Sequence, residues 1–165
     1  MIKEKMQNAL NNHVNAELYS AYIYLSMSAY FESINLRGFA HWMKVQAKEE
    51  VGHAMRIYNH LIERGGRVIL SAIETPQDEW KSSLEAFKAA YEHEVKITGM
   101  INELVELSKT EKDNAAYYML QWFVNEQVEE EQQTDEIAQK LRMIKESANG
   151  LLMLDKHLKA HLQIL

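Results

Sequence analysis

The chain has 165 residues, with 18 basic and 24 acidic side chains and a net charge of −6. That length favours one domain with a sizeable core. The charge speaks against nucleic acid and a polybasic membrane anchor as partners. The absence of cysteine excludes disulfides, thiolate metal sites and a cysteine nucleophile. Six glycines and one proline are too few for an all-β protein built on tight turns. The beginning, MIKEKMQNALNNH, has no apolar stretch after its basic residues, so no signal peptide is expected. No run approaches the roughly 18 apolar residues of a membrane span. The expectation is a soluble, cytoplasmic, all-α domain with no nucleic-acid or membrane partner.

Punctuation then divides the chain. A first helix is predicted from about residue 4 to the break Ser33-Ile34-Asn35-Leu36-Arg37-Gly38, and a second from Gly38 to Arg64. Gly65 to Trp80 contains Gly65-Gly66 and the only proline, Pro76, and has little helical period. The third and fourth helices are separated by a weak break from Thr110 to Asn114, and Ser147-Ala148-Asn149-Gly150 ends the fourth at about 145. A short amphipathic helix follows at about 151–163, with Leu151, Leu154, Leu158 and Leu162 on one edge. The pattern reads as a single domain spanning 1–165, with a four-helix bundle at about 4–145.

Short breaks make antiparallel neighbours of the first and second helices, and of the third and fourth. The Gly65–Trp80 segment can span about 50 Å when extended. A helix from Gly38 to Arg64 is about 40 Å long. The segment can therefore cross the length of the bundle and start the third helix at the far end.

Each long helix has an apolar stripe interrupted at mid-length. Met6, Leu10, Glu17, Ala21, Tyr24 and Phe31 share a face of the first helix. Phe39, Met43, Ala47, Glu50, Ala54, Ile57 and Leu61 share one on the second, with His53 at its edge. Phe87, Ala90, Glu94, Ile101 and Val105 align on the third. Met119, Phe123, Glu130, Ile137 and Leu141 align on the fourth, with Gln127 at the edge. The interruptions repeat: positions 17, 49, 50 and 53 recur 77 residues later as 94, 126, 127 and 130. Measured from the two hairpin turns, Glu17, Glu50, His53, Glu94 and Glu130 fall at one level.

Taken singly, each glutamate reads as a solvated edge residue and His53 as a hydrogen-bonded core histidine. Together they are harder to explain without a counter-charge. Four carboxylates buried at one level repel one another, and burial raises their pKa values. No lysine or arginine lies on these stripes near that level. One or two divalent cations would supply the missing charge. The oxygen-rich set with one imidazole suits Fe(II) or Mn(II) better than zinc or calcium. Two cations bridged by carboxylates use these oxygens better than one.

Glu17, Glu50-x-x-His53, Glu94 and Gln127-x-x-Glu130 resemble the metal-binding residues of the non-haem ferritins of bacteria and archaea. The ferritin-like diiron arrangement is an established helix-bundle pattern. The resemblance extends to Glu17-Leu18-Tyr19-Ser20-Ala21-Tyr22, Gly38-Phe39-Ala40-His41-Trp42-Met43, Arg64-Gly65-Gly66-Arg67-Val68 and Asn125-Glu126-Gln127-Val128-Glu129-Glu130-Glu131. It also includes the long crossover and the short fifth helix. The resemblance implies that Glu17, Glu50 and His53 hold a first iron. Glu50 would bridge to a second, held also by Glu94 and Glu130. Glu49, Glu126, Glu129 and Glu130 match a third iron site; the alternative reading of the first three is an ordinary acidic surface. Tyr24 and Trp122 match aromatic residues beside the diiron centre, and Gln127 a side chain near its dioxygen-facing side. The implied function is ferroxidase activity: Fe(II) is oxidised by dioxygen or hydrogen peroxide, and Fe(III) is stored as a mineral inside a homo-oligomeric shell of twenty-four subunits. The alternative is a ferritin-like diiron or dimanganese peroxidase in a smaller oligomer. A bundle with a polar layer and no metal is the non-enzymatic reading.

Two departures narrow the resemblance. The fourth helix carries Gln127-x-x-Glu130 in place of a second Glu-x-x-His, and Val51 stands where bacterioferritins have their haem-ligating methionine, so no haem is expected. The acidic pore positions of animal ferritins correspond to Tyr117 and Leu120. His13 is expected to take a hydrogen-bonded core role. Val68-Ile69-Leu70 is expected either to pack on its own bundle or to contact another subunit.

Overall fold

The computed structural model describes residues 1–145 and 147–160. Its regular elements are α1 (Glu4–Ser33), α2 (Arg37–Glu63), α3 (Ser83–Thr110), α4 (Asn114–Ile144) and α5 (Ala148–Leu158). No strand occurs among the described residues. The expected end of the last helix near residue 163, and Leu162 on its edge, lie outside them. None of the helices is long and apolar enough to cross a membrane.

Local chemistry sets the helix ends. Asn35 takes φ 61° between α1 and α2, a left-handed conformation that asparagine tolerates better than most residues. At the end of α2, Gly65 adopts φ 69°, while the Gly66 N–H donates to the Leu61 carbonyl at 2.8 Å. This closes the helix with a Schellman-type turn. Ser82 caps α3 by accepting from the Glu85 N–H, and Ser147 caps α5 by accepting from the Gly150 N–H. Asp113 caps α4 by accepting from the Ala116 N–H at 3.0 Å. Its two carboxylate oxygens also receive the Arg64 guanidinium at 2.9 and 3.2 Å. One fork therefore ties the end of α2 to the start of α4.

The α2 N-terminus has no cap from its own flanking residues. Asp155 of α5 supplies one: its Oδ1 accepts from the Gly38 and Phe39 N–H groups at 2.8 and 3.1 Å. Leu154 and Leu158 are buried in the adjoining core, so α5 lays part of its apolar edge against its own bundle. Leu152 and Met153 stay exposed.

Between Gly65 and Ser82 the chain runs as an extended crossover, secured to α1 by side chains. The Arg67 N–H donates to the Gln7 amide oxygen at 2.8 Å. Asn11 binds both the Arg67 carbonyl and the Ile69 N–H. Asn15 donates to the Ser71 and Ala72 carbonyls, and Ser26 to that of Gln77. Crossover and α1 thus run in the same direction, and α3 starts at the end of the bundle where α1 finishes. Val68 packs on the core, whereas Ile69 and Leu70 are exposed.

The stripe residues turn inward as the periodicity requires; all are buried except Met119, which is half-buried. Two apolar clusters result. One gathers Phe31, Phe39, Trp42, Phe87 and Leu141 with α5. The other gathers Leu10, Ile57, Leu61, Ile101 and Phe123. The polar residues at mid-helix separate them.

Candidate metal centre

Helix periodicity places a side chain from each long helix in this polar layer. Glu17, Glu50, His53, Glu94, Gln127 and Glu130 are each no more than 4 % exposed. The carboxylates and imidazole of this layer, with the partly buried Glu126, form three overlapping groups: Glu17/Glu50/His53, Glu50/Glu94/Glu130 and His53/Glu126/Glu130, each within 4.8 Å. Glu50 belongs to the first two, so it lies between them. His53 Nδ1 is 3.1 Å from Glu50 Oε2 and 3.9 Å from Glu17 Oε2.

Neighbouring side chains hold these groups in place. The Tyr24 hydroxyl donates to Glu94 Oε1. Gln127 donates from Nε2 to Glu94 Oε2 at 3.1 Å and to the Glu94 carbonyl at 3.2 Å. The same amide lies 3.3 Å from the Thr98 hydroxyl, which itself donates to Glu131. Gln46 donates to Glu130 Oε2 at 2.7 Å. His13, buried as expected, has Nε2 2.8 Å from Glu17 Oε1. Trp122 lies edge-on to His53, with its ring centre 5.4 Å away, and Arg56 sits over its indole at 4.2 Å.

Glu49 and Glu126 are partly buried, while Glu129 is exposed. They line one cleft of about 520 Å³ together with His53, Glu130, Lys48 and Arg56. Glu126 Oε1 is 3.6 Å from His53 Nε2. Among the described residues, Glu49 and Glu129 join none of the close three-ligand groups. Leu120 is fully buried, so of the two pore-register residues only Tyr117 is exposed.

The electrostatics show strain among the protein groups. Burial, then repulsion from Glu94, pushes Glu50 and Glu130 well above the usual glutamate range. Burial also raises Glu94, against the Tyr24 and Gln127 hydrogen bonds. Burial opposes ionisation of Glu17 too, but the His13 hydrogen bond and nearby imidazoles outweigh it and hold that carboxyl low. For His53 burial works downward, yet Glu126 and Glu50 push it up to about 11. Burial drives the Tyr24 phenol well above its ordinary value, with Glu94 adding to the effect.

Glu17 Oε2 is a buried oxygen without a hydrogen-bond partner, facing His53. An orphaned carboxylate oxygen beside the His53 imidazole and the Glu50 carboxylate suits a divalent cation that accepts oxygen and nitrogen donors. Gln46 and Thr98 belong to neither the stripes nor the 77-residue repeat, so the sequence pattern does not mark them. Gln46 had one usable signal, a polar residue one turn before Glu50 on the buried side of α2.

The fold and site define a helix bundle with a carboxylate-rich, histidine-containing polar layer. Residues 7–144 match the ferritin family, described as a ferritin-like domain. A bacterial non-heme ferritin of Bacteroides fragilis (strain 638R) is 40% identical over 158 residues, spanning 96% of this chain and 98% of the relative. A bacterial non-heme ferritin of Escherichia coli O157:H7 is 37% identical over 158 residues and 96% of each chain. A closed form of the Archaeoglobus fulgidus ferritin, engineered by site-directed mutagenesis, superposes with a TM-score of 0.98 at 54% identity, over 99% of this chain and 100% of that one. The open-pore ferritin from the same archaeon gives 0.97 at 54% identity, over 98% and 100%. The chain belongs to the ferritin family.

Proposed function

We propose that this protein is an iron-storage ferroxidase of the cytoplasm. The observation that carries the reading is Glu50, a buried carboxylate common to the Glu17/Glu50/His53 and Glu50/Glu94/Glu130 groups. A shared carboxylate at that position can hold two Fe(II) ions side by side. Each ion gives up one electron, and the pair of electrons passes to dioxygen or hydrogen peroxide. Glu17 and His53 hold one substrate ion; Glu94 and Glu130 hold the other. Tyr24 and Gln127 keep Glu94 oriented, and the apolar clusters on either side exclude water. Glu49, Glu126 and Glu129, with Glu130, form a third and weaker iron site at the cleft. Its larger exposure suits faster exchange. Fe(III) is then stored as mineral inside a homo-oligomeric shell of twenty-four copies, without haem.

Anaerobic Fe(II) titration followed by air, with the particle mass measured, tests this reading. A large shell that takes up many irons per chain supports it. A small oligomer with two fixed metals indicates an oxidoreductase of the peroxidase type, and no metal uptake indicates a purely structural bundle. Within the same assay, Glu50→Ala slows rapid Fe(II) oxidation more than Glu17→Ala does. Equal rates for Glu50→Ala and wild type remove the bridging role.

A further inference from the structure

His13 is a fully buried imidazole, one helical turn before Glu17 on α1. Its Nε2 meets Glu17 Oε1 at 2.8 Å, while its Nδ1 has no hydrogen-bond partner. The ring stands edge-on against Phe123, at 85° and 6.3 Å between centres. An ionised carboxylate only accepts, so Nε2 carries the proton in this bond. The two oxygens of Glu17 therefore differ. Oε1 is tied back toward the preceding turn of α1, and Oε2 is unpartnered, 3.9 Å from His53 Nδ1.

We infer that His13 is a positioning residue that occupies Glu17 Oε1, so that Glu17 offers a divalent cation one oxygen, Oε2. The inference rests on the reading of Glu17, Glu50 and His53 as cation ligands. Two physical points support it. Two-oxygen coordination by Glu17 would draw Oε1 away from the His13 N–H and leave a second buried polar atom on that ring without a partner. The ring is walled by Phe123 and has no water-facing side on which to recover the bond. A comparable device acts on another ligand, where Gln46 occupies Glu130 Oε2 at 2.7 Å. Outer-shell donors of this kind fix the orientation of the groups that touch the metal.

The test is anaerobic titration of the full-length, metal-free protein with Co(II), read by the visible d–d spectrum. His13→Leu weakens one cobalt by about tenfold and alters its spectrum. His13→Gln, whose amide N–H can reach the same oxygen, restores both. In a Glu17→Ala background, His13→Leu adds nothing. A crystal structure of cobalt-loaded wild type, which needs no variant to fold, shows one Glu17 oxygen on the cation and the His13 contact intact. Both Glu17 oxygens on cobalt, wild-type titration by His13→Leu, or His13→Gln binding as weakly as His13→Leu each overturn the inference alone. Cobalt absent from Glu17, Glu50 and His53 overturns the metal-centre reading, and this inference falls with it.

Discussion

Replacing Gly38 by alanine tests how α5 is held, because the sign of the effect depends on docking. An alanine in place of glycine normally stabilises a helix by up to about 1 kcal/mol. Here a Cβ on Gly38 would lie 1.7 Å from the Asp155 carbonyl oxygen and 2.6 Å from its carbon. Both atoms are backbone, so relief requires α5 to retreat by about 1 Å or more. That displacement breaks the two bonds from the Gly38 and Phe39 N–H groups to Asp155. Losing a charged cap at a helix N-terminus costs about 2 kcal/mol. Partial uncovering of Leu154 and Leu158 adds about 1–2 kcal/mol. Set against the gain in helix propensity, the net effect is a loss of about 2–3 kcal/mol. At about 2–4 °C per kcal/mol for a chain of this size, the melting temperature falls by about 5–10 °C. Thermal unfolding of the metal-free protein by circular dichroism measures it. In a chain ending at Lys145 the same substitution is neutral or mildly stabilising. A full-length Gly38→Ala protein that melts at or above wild type refutes the docking and the capping role of Asp155.

Three further outcomes follow from the buried charges. The Arg64 fork and the α4 cap outweigh burial and hold Asp113 below its ordinary value of 3.8, so its contribution is fully present above that pH and lost as pH falls through the depressed value. Asp113→Ala therefore costs about 2–3 kcal/mol at neutral pH, and urea midpoints of variant and wild type converge in strong acid; a gap that persists there contradicts the assignment. Glu50 shows the opposite sign: raised above 4.5 by burial and by Glu94, it favours the fold below that value and weakens it as pH rises. Metal-free Glu50→Gln is accordingly more stable than wild type at pH 7 and indistinguishable from it below pH 4.5, by the same urea titration; a less stable variant at pH 7 defeats the argument. Finally, His53, held at about 11, must lose its proton to become a ligand, as must any protonated Glu50 or Glu130. Calorimetric heats of Co(II) binding thus differ between two buffers of unequal ionisation enthalpy, and equal heats count against proton displacement.

What could be read beforehand was whatever obeys the helical period. The stripes bury as expected, and Glu17, Glu50, His53, Glu94 and Glu130 meet because each interrupts a stripe at the same depth. Contacts between residues far apart in sequence leave no such mark. The Asp155 cap on α2 links positions 117 residues apart. Gln46 reaches Glu130 across 84. In each case the partner is chosen by packing between helices, which periodicity along one helix does not encode. Asn11 and Asn15 look like solvated polar residues on α1 until the crossover lies over them.

That crossover changes where the molecule divides. By sequence the joint between the two hairpins is the whole of Gly65 to Trp80. By attachment it is much shorter, because Gln7, Asn11, Asn15 and Ser26 secure the backbone from Arg67 to Gln77 onto α1. Those anchors lie up to 19 positions apart on α1, from Gln7 to Ser26, about 28 Å of helix. Most of the segment is thus a layer of the first hairpin, held in register by its outer face. The attachment continues past Gln77, where Trp80 is buried with its ring centre 5.3 Å from that of Tyr30 on α1. One residue added between Arg67 and Ala72 puts a series of side-chain bonds out of step. A segment without regular structure is thus bound to a fixed length wherever these anchors hold it.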